Sequence, residues 1–244
     1  MNLIVEKQLS ALVVNCSPAI EDYLKAIYVL HQDYGHVTTS LVAEHFGFAP
    51  ASVTGMLQKL AQLALVTYVP YHGVTLTDRG QRLALDVLRH HRLLELFLVR
   101  ELGYSWEEVH AEAEVLEHVI SETLEARIAA HLGHPTADPH GDPIPSADGT
   151  LPVSTCQPLP HLSLGATGRI TRVTDQHPDR LRYMADLGLV PGAIITVQAR
   201  APFDGPLTLG IGDAIHHLDS RMAQAILVQE VANEEDILQA QEEV

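Results

Sequence analysis

Apolar side chains recur at helical spacing through the first third of the chain. The spacing predicts one helix over residues 17–33, a second over residues 38–46 and a third over residues 51–64. Ser17-Pro18 suits the start of the first helix. The tight turn Phe48-Ala49-Pro50 connects the second helix to the third. These segments predict a helix-turn-helix.

Two β-prone runs, rich in Val, Thr and Tyr, follow the third helix. They cover residues 65–71 and 74–77 and are joined at His72-Gly73, as in a hairpin. A hairpin that directly follows a helix-turn-helix is a wing. The N-terminal part is therefore predicted to be a winged helix-turn-helix.

The middle of the chain predicts two long amphipathic helices, over residues 78–102 and 105–132. Ser105 and Glu108 have the spacing of a capping box at the start of the second one. Residues 134–160 then contain seven prolines among 27 residues, which is typical of a linker. The two helices are expected to form one helical domain.

The last third alternates short β-prone runs with Gly, Pro and Asp, which predicts a small β-barrel. The predicted strands cover residues 168–173, 193–199, 207–211 and 225–231, and a short helix covers residues 179–187. The fold class is thus mostly α with a small β domain. The predicted parts are a winged helix-turn-helix (1–80), a helical domain (81–150), a proline-rich linker (151–160), a β domain (161–232) and an acidic tail (233–244).

Composition and net charge limit the cellular compartment and the kinds of partner expected for this chain. No apolar run approaches the 18 residues of a membrane span, so no membrane association is expected. The only cysteines, Cys16 and Cys156, lack near partners, which favours a reducing cytoplasm. The net charge of −16 argues against simple electrostatic binding to nucleic acid. However, residues 1–80 carry four basic and six acidic residues and are nearly neutral.

The second long helix carries a stripe of potential metal ligands. His110, Glu114, Glu117 and His118 lie at offsets 0, 4, 7 and 8, so a helix places them on one face. The preceding helix offers a second pair one turn apart, consisting of His91 and Glu95. The helical pair therefore supplies six potential ligands.

The alternative interpretation of these residues is a solvated polar face, which is what most charged stripes are. A histidine that shares a face with leucines, as His91 does, is more often a core residue than a ligand. The stripe, however, lies beside apolar positions of its helix rather than opposite them, which places it at the edge of a core. Nitrogen and carboxylate ligands without sulfur suit Mn²⁺ or Fe²⁺, although Zn²⁺ and Co²⁺ bind the same groups.

Several motifs in the same order resemble the diphtheria-toxin-repressor family of iron- and manganese-dependent regulators, particularly its manganese-transport-regulator branch. The resemblance covers nearly the whole chain. The matching segments are IEDYLKAIY from Ile20, SVTGMLQKL from Ser52, LTDRG from Leu76, HRLLELFL from His91, VHAEAEVLEH from Val109 and GHPTADPHGDPIP from Gly133. The resemblance implies a C-terminal SH3-like domain, related to small ferrous-transport accessory proteins.

The resemblance also implies two metal sites per subunit. The residues of the primary site are Asp22, Glu114, Glu117 and His118, and those of the ancillary site are His91, Glu95 and His110. Iron-responsive members carry Met and Cys where this chain has Asp22 and Glu114, so hard oxygen ligands favour Mn²⁺ over Fe²⁺.

Two departures from the family pattern concern these sites. Lys25 replaces a glutamate of the paired-metal site, so two separate sites are expected rather than a close pair. His177 and Arg180 stand where iron-responsive members supply ligands from the C-terminal domain. Since arginine does not bind metal, His177 or Asp179 is left as the candidate to complete the ancillary site.

The resemblance makes residues 51–60 the recognition helix of a homodimer that binds double-stranded operator DNA, expected to be palindromic. The candidate DNA contacts are Thr39, Ala49, Ala51, Ser52, Thr54 and Gly55. Small residues at the start of this helix permit close approach to base edges. A small helical hairpin that serves only for packing is the alternative for this segment.

The resulting function is a metal-dependent transcriptional repressor of manganese or iron homeostasis genes, with the metal as co-repressor and no enzymatic activity. A metal-dependent hydrolase that uses the same His and Glu residues is the alternative, but the sequence offers no separate general base. A metal-storage role would leave the helix-turn-helix unexplained. The sequence identifies neither the operator nor the target genes.

Overall fold

The computed structural model describes residues 17–152, 155–203 and 205–231. It divides the chain into two compact units, Met1–Arg89 and His90–Val244. Cys16 and the predicted acidic tail, residues 233–244, lie outside the described residues.

Three helices form the first part of the N-terminal unit. They are α1 (Pro18–Tyr34), α2 (Thr39–Phe46) and α3 (Pro50–Gln62). Thr38 caps α2, where its side chain accepts a hydrogen bond from the backbone N–H of Leu41 at 3.1 Å. The helices bury their apolar faces, with Leu24, Val42 and Leu57 among the fully buried side chains. The predicted helix-turn-helix is confirmed.

A two-stranded hairpin follows, with β1 (Val66–Val69) paired antiparallel to β2 (Gly73–Leu76). The loop was predicted at His72-Gly73, but Val69 and Gly73 still face each other as partners, so the loop comprises residues 70–72. Tyr71, at the middle of this loop, has a φ of 66° and is fully exposed. The left-handed turn therefore falls on Tyr71.

Gly80, in the helix that follows, packs closely against the backbone of Leu65, the residue before β1. A Cβ at Gly80 would lie 1.9 Å from the carbonyl oxygen of Leu65. We expect Gly80→Ala to lower the free energy of unfolding of the N-terminal unit by about 1–3 kcal/mol, because two backbones would have to separate. Urea denaturation would measure this change in the free energy of unfolding. Gly55→Ala is the control, since a Cβ there meets nothing within 4 Å, and an equal loss in both variants would contradict the explanation.

Three helices follow the hairpin, namely α4 (Asp78–Leu102), α5 (Val109–Leu116) and α6 (Glu122–His131). The predicted single helix over residues 105–132 is wrong, because the helix begins only at Val109 and residues 117–119 form a turn. Ser121 starts a new helix, since its side chain accepts a hydrogen bond from the N–H of Leu124 at 3.2 Å. Glu117 keeps helical backbone angles, so the ligand spacing survives the break.

Residues 134–145, which the sequence predicts to be part of a linker, are packed against the rest of the protein. Asp138, His140 and Asp142 are buried, and Ile144 joins the apolar cluster of the preceding helices. The proline-rich composition excludes regular secondary structure here, but it does not exclude packing.

The C-terminal part is a six-stranded antiparallel sheet in the order β3-β8-β4-β5-β6-β7. Its strands are β3 (Gln157–Pro158), β4 (Thr167–Val173), β5 (Ile194–Arg200), β6 (Leu207–Ile211), β7 (Ala214–Leu218) and β8 (Ile226–Glu230). A 3-10 turn (Leu159–His161) and two short helices, α7 (Pro178–Asp186) and α8 (Ser220–Gln224), complete it. A single apolar core lies inside. The sequence missed β3, β7 and α8.

Among the described residues, no helix has both the length and the apolar character that crossing a membrane requires.

Candidate metal centre and nucleic-acid interface

His91 is the centre of the first group of potential metal ligands. Its ring lies between two carboxylates, with Nε2 2.9 Å from Glu95 Oε1 and Nδ1 2.5 Å from Glu117 Oε2. The i, i+4 spacing on α4 brings Glu95 to His91, whereas Glu117 comes from the turn after α5. All three side chains are almost completely buried. This buried group of acids and imidazole is not a solvated polar face.

His110 and Glu114, one turn apart on α5, extend this group. His110 Nδ1 lies 3.1 Å from Glu95 Oε1, and Glu114 Oε1 lies 3.7 Å from His91 Nδ1. One donor atom each from His91, His110 and Glu114 falls within 4.8 Å of the others. We call these three residues the His91 cluster. Glu114 was predicted in the primary site, yet here it faces the residues predicted for the ancillary site.

The remaining two predicted ligands are placed differently. His118 Nε2 lies 3.5 Å from Glu117 Oε1, so Glu117 is shared between His118 and His91. Asp22 lies on α1 in the N-terminal unit, where it is half-buried. Its place among the ligands remains a proposal.

A second group, which the sequence did not predict as ligands, consists of Glu95, Asp138 and His140. All three are buried, and one donor atom of each falls within 4.8 Å of the others. Glu95 Oε2, Asp138 Oδ2 and His140 Nδ1 are buried without a hydrogen-bond partner. Their nearest charged neighbours are at ion-pair distance, 3.8 Å between His140 Nδ1 and Glu95 Oε2 and 3.7 Å between Asp138 Oδ2 and Arg92 Nε, and a cation bound among them would satisfy all three. We call this group the Asp138 cluster.

The charges in the Asp138 cluster support this interpretation. Burial, with the neighbouring carboxylates of Asp142 and Glu95, raises the pKa of Asp138 to about 8. Burial opposes protonation of His140, but Glu95 and Asp138 raise its pKa to about 9. Burial also opposes the charge on Glu95, yet His91, His110 and His140 hold its pKa well below the usual value. The acidic residues thus attract positive charge to this buried point.

Both clusters consist of nitrogen and carboxylate oxygen donors only. This donor set fits Mn²⁺ or Fe²⁺ and contains none of the sulfur ligands that softer ions prefer. Glu95 contacts members of both clusters and therefore connects them. The signal for Asp138 and His140 was present in the segment from Gly133, but its proline content led to the linker prediction.

Neither His177 nor Asp179 belongs to either cluster. His177 is the exposed residue before α7, and the Asp179 side chain is 80% exposed and lies 3.4 Å from Arg182. The C-terminal domain instead approaches the clusters through Gln176, whose amide donates to Asp142 Oδ2 at 3.0 Å.

The candidate DNA contacts surround the start of α3 in the N-terminal unit. Small residues are exposed at four positions, namely Ala49, Ala51, Ser52 and Gly55. Thr54 is half-buried and donates its hydroxyl to the carbonyl of Pro50 at 2.9 Å. Thr39, on α2, is half-buried with its hydroxyl 3.4 Å from that of Tyr68. The start of α3 is therefore open to a close approach.

Gln58 is absent from the predicted DNA contacts, and Tyr71 is predicted only as part of the wing hairpin. Gln58 lies three residues after Gly55, on the same side of α3, and is exposed. Tyr71 projects completely from the tip of the hairpin. Helical spacing would have found Gln58, whereas the exposure of Tyr71 depends on the unpredicted left-handed turn.

Comparison with known families assigns each part of the chain to a described domain. The model "Iron dependent repressor, N-terminal DNA binding domain" matches residues 15–74. "Iron dependent repressor, metal binding and dimerisation domain" matches residues 77–146, and "FeoA domain" matches residues 157–230.

Similar proteins agree with these domains. The iron-dependent repressor IdeR of Mycobacterium tuberculosis is 31% identical over 223 residues, which cover 86% of this chain and 96% of IdeR. The HTH-type transcriptional regulator MntR of Lysinibacillus sphaericus is 37% identical over 113 residues, 46% of this chain and 81% of MntR. A solved manganese-dependent transcriptional repressor in complex with manganese is 44% identical, with a TM-score of 0.80, over 87% of this chain and 100% of that one.

Proposed function

The chain belongs to the iron-dependent repressor family of metal-dependent transcriptional repressors, and we propose that it is a manganese sensor. In this proposal each subunit binds two Mn²⁺ ions as co-repressor, and a homodimer binds a palindromic operator in manganese homeostasis genes. The matching families are DNA-binding regulators and not enzymes, so the hydrolase alternative has no support.

The observation that carries the proposal is that Glu95 connects the partly buried His91 cluster to the fully buried Asp138 cluster. Oxygen and imidazole donors favour Mn²⁺ over the softer ions, and Fe²⁺ is the competing ion. A similar solved structure is a manganese-dependent repressor, which supports this choice. Mn²⁺ would supply the positive charge that the buried carboxylates of Glu95 and Asp138 attract. Selectivity between the two ions in the cell then depends on the coordination geometry of the sites and on the concentration of each free ion.

The residues fall into two proposed sites. We propose Asp22, Glu114, Glu117 and His118 for the primary site, as the family resemblance implies. The ancillary site is proposed to use Glu95 with His91 and His110, and the Asp138 cluster extends it on the other side of Glu95. Asp22 is the single proposed ligand from the DNA-binding domain. It would therefore couple metal binding to the orientation of α3.

The proposed DNA-binding surface comprises the exposed start of α3 and the Tyr71 hairpin. In a symmetric dimer, the two recognition helices reach half-sites about one turn of DNA apart, roughly 34 Å, which is why a palindromic operator is proposed. A regulator acts where the DNA is, and the proposal therefore places the protein in the cytoplasm.

Fluorescence anisotropy tests this function directly. Labelled DNA selected from the source genome in the presence of Mn²⁺ would be titrated with protein in chelator, Mn²⁺ or anaerobic Fe²⁺. We expect Mn²⁺ to tighten binding at least tenfold, within the range of about 5- to 150-fold typical of coupled sites. Equal affinity with chelator would reject metal sensing, and a stronger effect of Fe²⁺ would reject manganese as the signal.

Exposed apolar side chains near the ligands support the homodimer. Val115 and Val119, one turn apart, expose 68% and 75% of their surface, and Leu124 exposes 50%. Large exposed apolar side chains of this kind are typical of an interface. A second copy of the chain is the proposed occupant, because the family model for this segment describes a dimerisation domain.

We expect the double substitution Val115→Gln and Val119→Gln to weaken the dimer at least tenfold. Each substitution occurs twice in a symmetric interface. Each large apolar side chain buried there contributes about 1.5–3 kcal/mol to the free energy of association. Sedimentation equilibrium would measure the dissociation constant. Leu164→Gln, on the C-terminal domain and 68% exposed, serves as the control. An unchanged dimer in the double variant would place the interface elsewhere.

A further inference from the structure

The buried carboxylate of Asp142 is one point at which the C-terminal domain contacts the segment that carries Asp138 and His140. Arg172 of β4 forms an ion pair with Asp142 Oδ1, and the Gln176 amide donates to Asp142 Oδ2 at 3.0 Å. Arg92 of α4 approaches from the other side, with NH2 3.6 Å from Asp142 Oδ1 and Nε 3.7 Å from Asp138 Oδ2. Asp142 is therefore held jointly by the helical domain and the C-terminal domain.

The position of Asp142 is linked to that of the proposed ligands by a tight turn. Asp138 Oδ1 accepts hydrogen bonds from the N–H groups of His140 at 2.8 Å and Asp142 at 2.9 Å. This leaves Asp138 Oδ2 as the carboxylate oxygen without a hydrogen-bond partner, and therefore as the candidate donor atom to a metal. A displacement of Asp142 would therefore move the donor atom of Asp138.

The same turn lies against the backbone of β4. The His140 carbonyl accepts a hydrogen bond from the N–H of Val173 at 2.8 Å. Gly141 has a φ of 85°, and a Cβ there would lie 1.9 Å from the carbonyl oxygen of Thr171. Strand β4 thus fits closely against the segment that carries Asp138 and His140.

We propose that the C-terminal domain sets the metal affinity of the Asp138 cluster through Arg172 and Gln176. Both are positioning residues that act by holding Asp142 and, through it, Asp138. Without Arg172, Asp142 would lose one of its two arginine partners, and the other, Arg92, also approaches Asp138. The inference rests on the proposed metal binding by this cluster. By linkage, metal bound there stabilises the docked C-terminal domain to the same extent.

Trp106 provides a built-in reporter for this cluster. It is the only tryptophan of the chain, and its ring stacks on that of His140, with the centroids 5.5 Å apart. Its carbonyl accepts a hydrogen bond from His140 Nε2 at 2.7 Å, which leaves Nδ1 directed at the cluster. Trp106 also packs against the core of the C-terminal domain. Its fluorescence therefore reports both metal binding at His140 and docking of this domain.

The experiment is a Mn²⁺ titration of the full-length protein followed by Trp106 fluorescence. We expect Arg172→Met and Gln176→Ala to raise the Mn²⁺ concentration at the midpoint by about 10- to 100-fold, the range typical of residues that orient metal ligands. Arg172→Lys keeps the charge and should restore most of the affinity. Arg221→Met, at an exposed position of α8, is the matched control and should behave like the wild type.

Thermal denaturation distinguishes positioning from a general structural role. A positioning role predicts that Arg172→Met and Gln176→Ala reduce the Mn²⁺-induced rise in Tm more than they reduce the Tm without metal. Equal losses in both conditions, or wild-type midpoints in both variants, would overturn the inference while the metal site stands. A wild type without any Mn²⁺-dependent change in fluorescence would reject the Asp138 cluster as a site, and the inference with it. If Arg172→Met does not fold, Gln176→Ala and Arg172→Lys decide the question.

Discussion

Glu95→Gln is expected to weaken Mn²⁺ binding at the proposed ancillary site, where Glu95 connects the two clusters, by at least about tenfold. Glu95 lies 2.9 Å from His91 Nε2, 3.1 Å from His110 Nδ1 and 3.8 Å from His140 Nδ1, with no exposed side-chain surface. Glutamine keeps the size of the side chain but removes the charge that the two clusters share. Isothermal titration calorimetry should show fewer than two bound ions at concentrations that saturate the wild type.

The loss should extend to DNA binding, because the proposed co-repressor is no longer held. Glu101→Gln is the matched control, since Glu101 lies on the same helix, is 40% exposed and pairs with His131 at 3.2 Å. A Glu95→Gln protein that still binds two ions with wild-type affinity would show that neither cluster depends on this carboxylate. An equal loss in the control variant would show that charge on α4, rather than ligation, causes the effect.

Helical spacing predicted the elements whose apolar faces repeat regularly. The bounds predicted for α4 agree with the structure, because its pattern is long and Gly103 follows its last residue. The break between α5 and α6 could not be predicted from spacing alone, since Glu117 keeps helical backbone angles and the apolar pattern continues across it. Ser121 was the available signal for a second helix start.

In the candidate site too, contacts within one helix could be predicted from the sequence, whereas contacts between distant segments could not. His91 with Glu95, and His110 with Glu114, were recognisable because both pairs lie one helical turn apart. The association of Glu95 with Asp138 and His140 joins a helix to an irregular segment distant in sequence. Periodicity carries no information about such a contact. The proline content of this segment was typical of a linker, and only the structure showed that it is buried.

The net charge of −16 is less of an objection to DNA binding once the positions of the acidic residues are known. Several carboxylates that contribute to it, including Glu95, Glu117 and Asp138, are buried beside imidazoles rather than spread over the surface. Bound divalent cations would offset these charges locally. The objection to a DNA-binding function therefore weakens, because the exposed start of α3 is formed by small uncharged residues.

Asp22→Ala is expected to abolish the Mn²⁺ dependence of DNA binding and to leave the fold and the dimer intact. Asp22 lies on α1 of the DNA-binding domain, whereas the other proposed ligands of the primary site lie on α5 and in the turn after it. Removing it would disconnect the recognition helix from the metal while leaving most of the other ligands in place. The affinity in Mn²⁺ should then fall about 5- to 150-fold, to the value that the wild type shows with chelator.

Anisotropy with and without Mn²⁺ tests this prediction, because the metal dependence itself is the readout. Asp33→Ala, an exposed position on the same helix, controls for the loss of a negative charge near DNA. A variant that loses affinity equally in chelator would assign Asp22 to folding or to direct DNA contact. A variant that still responds fully to Mn²⁺ would remove Asp22 from the primary site, and α4, which spans the boundary between the two units, would then be the next candidate to carry the coupling.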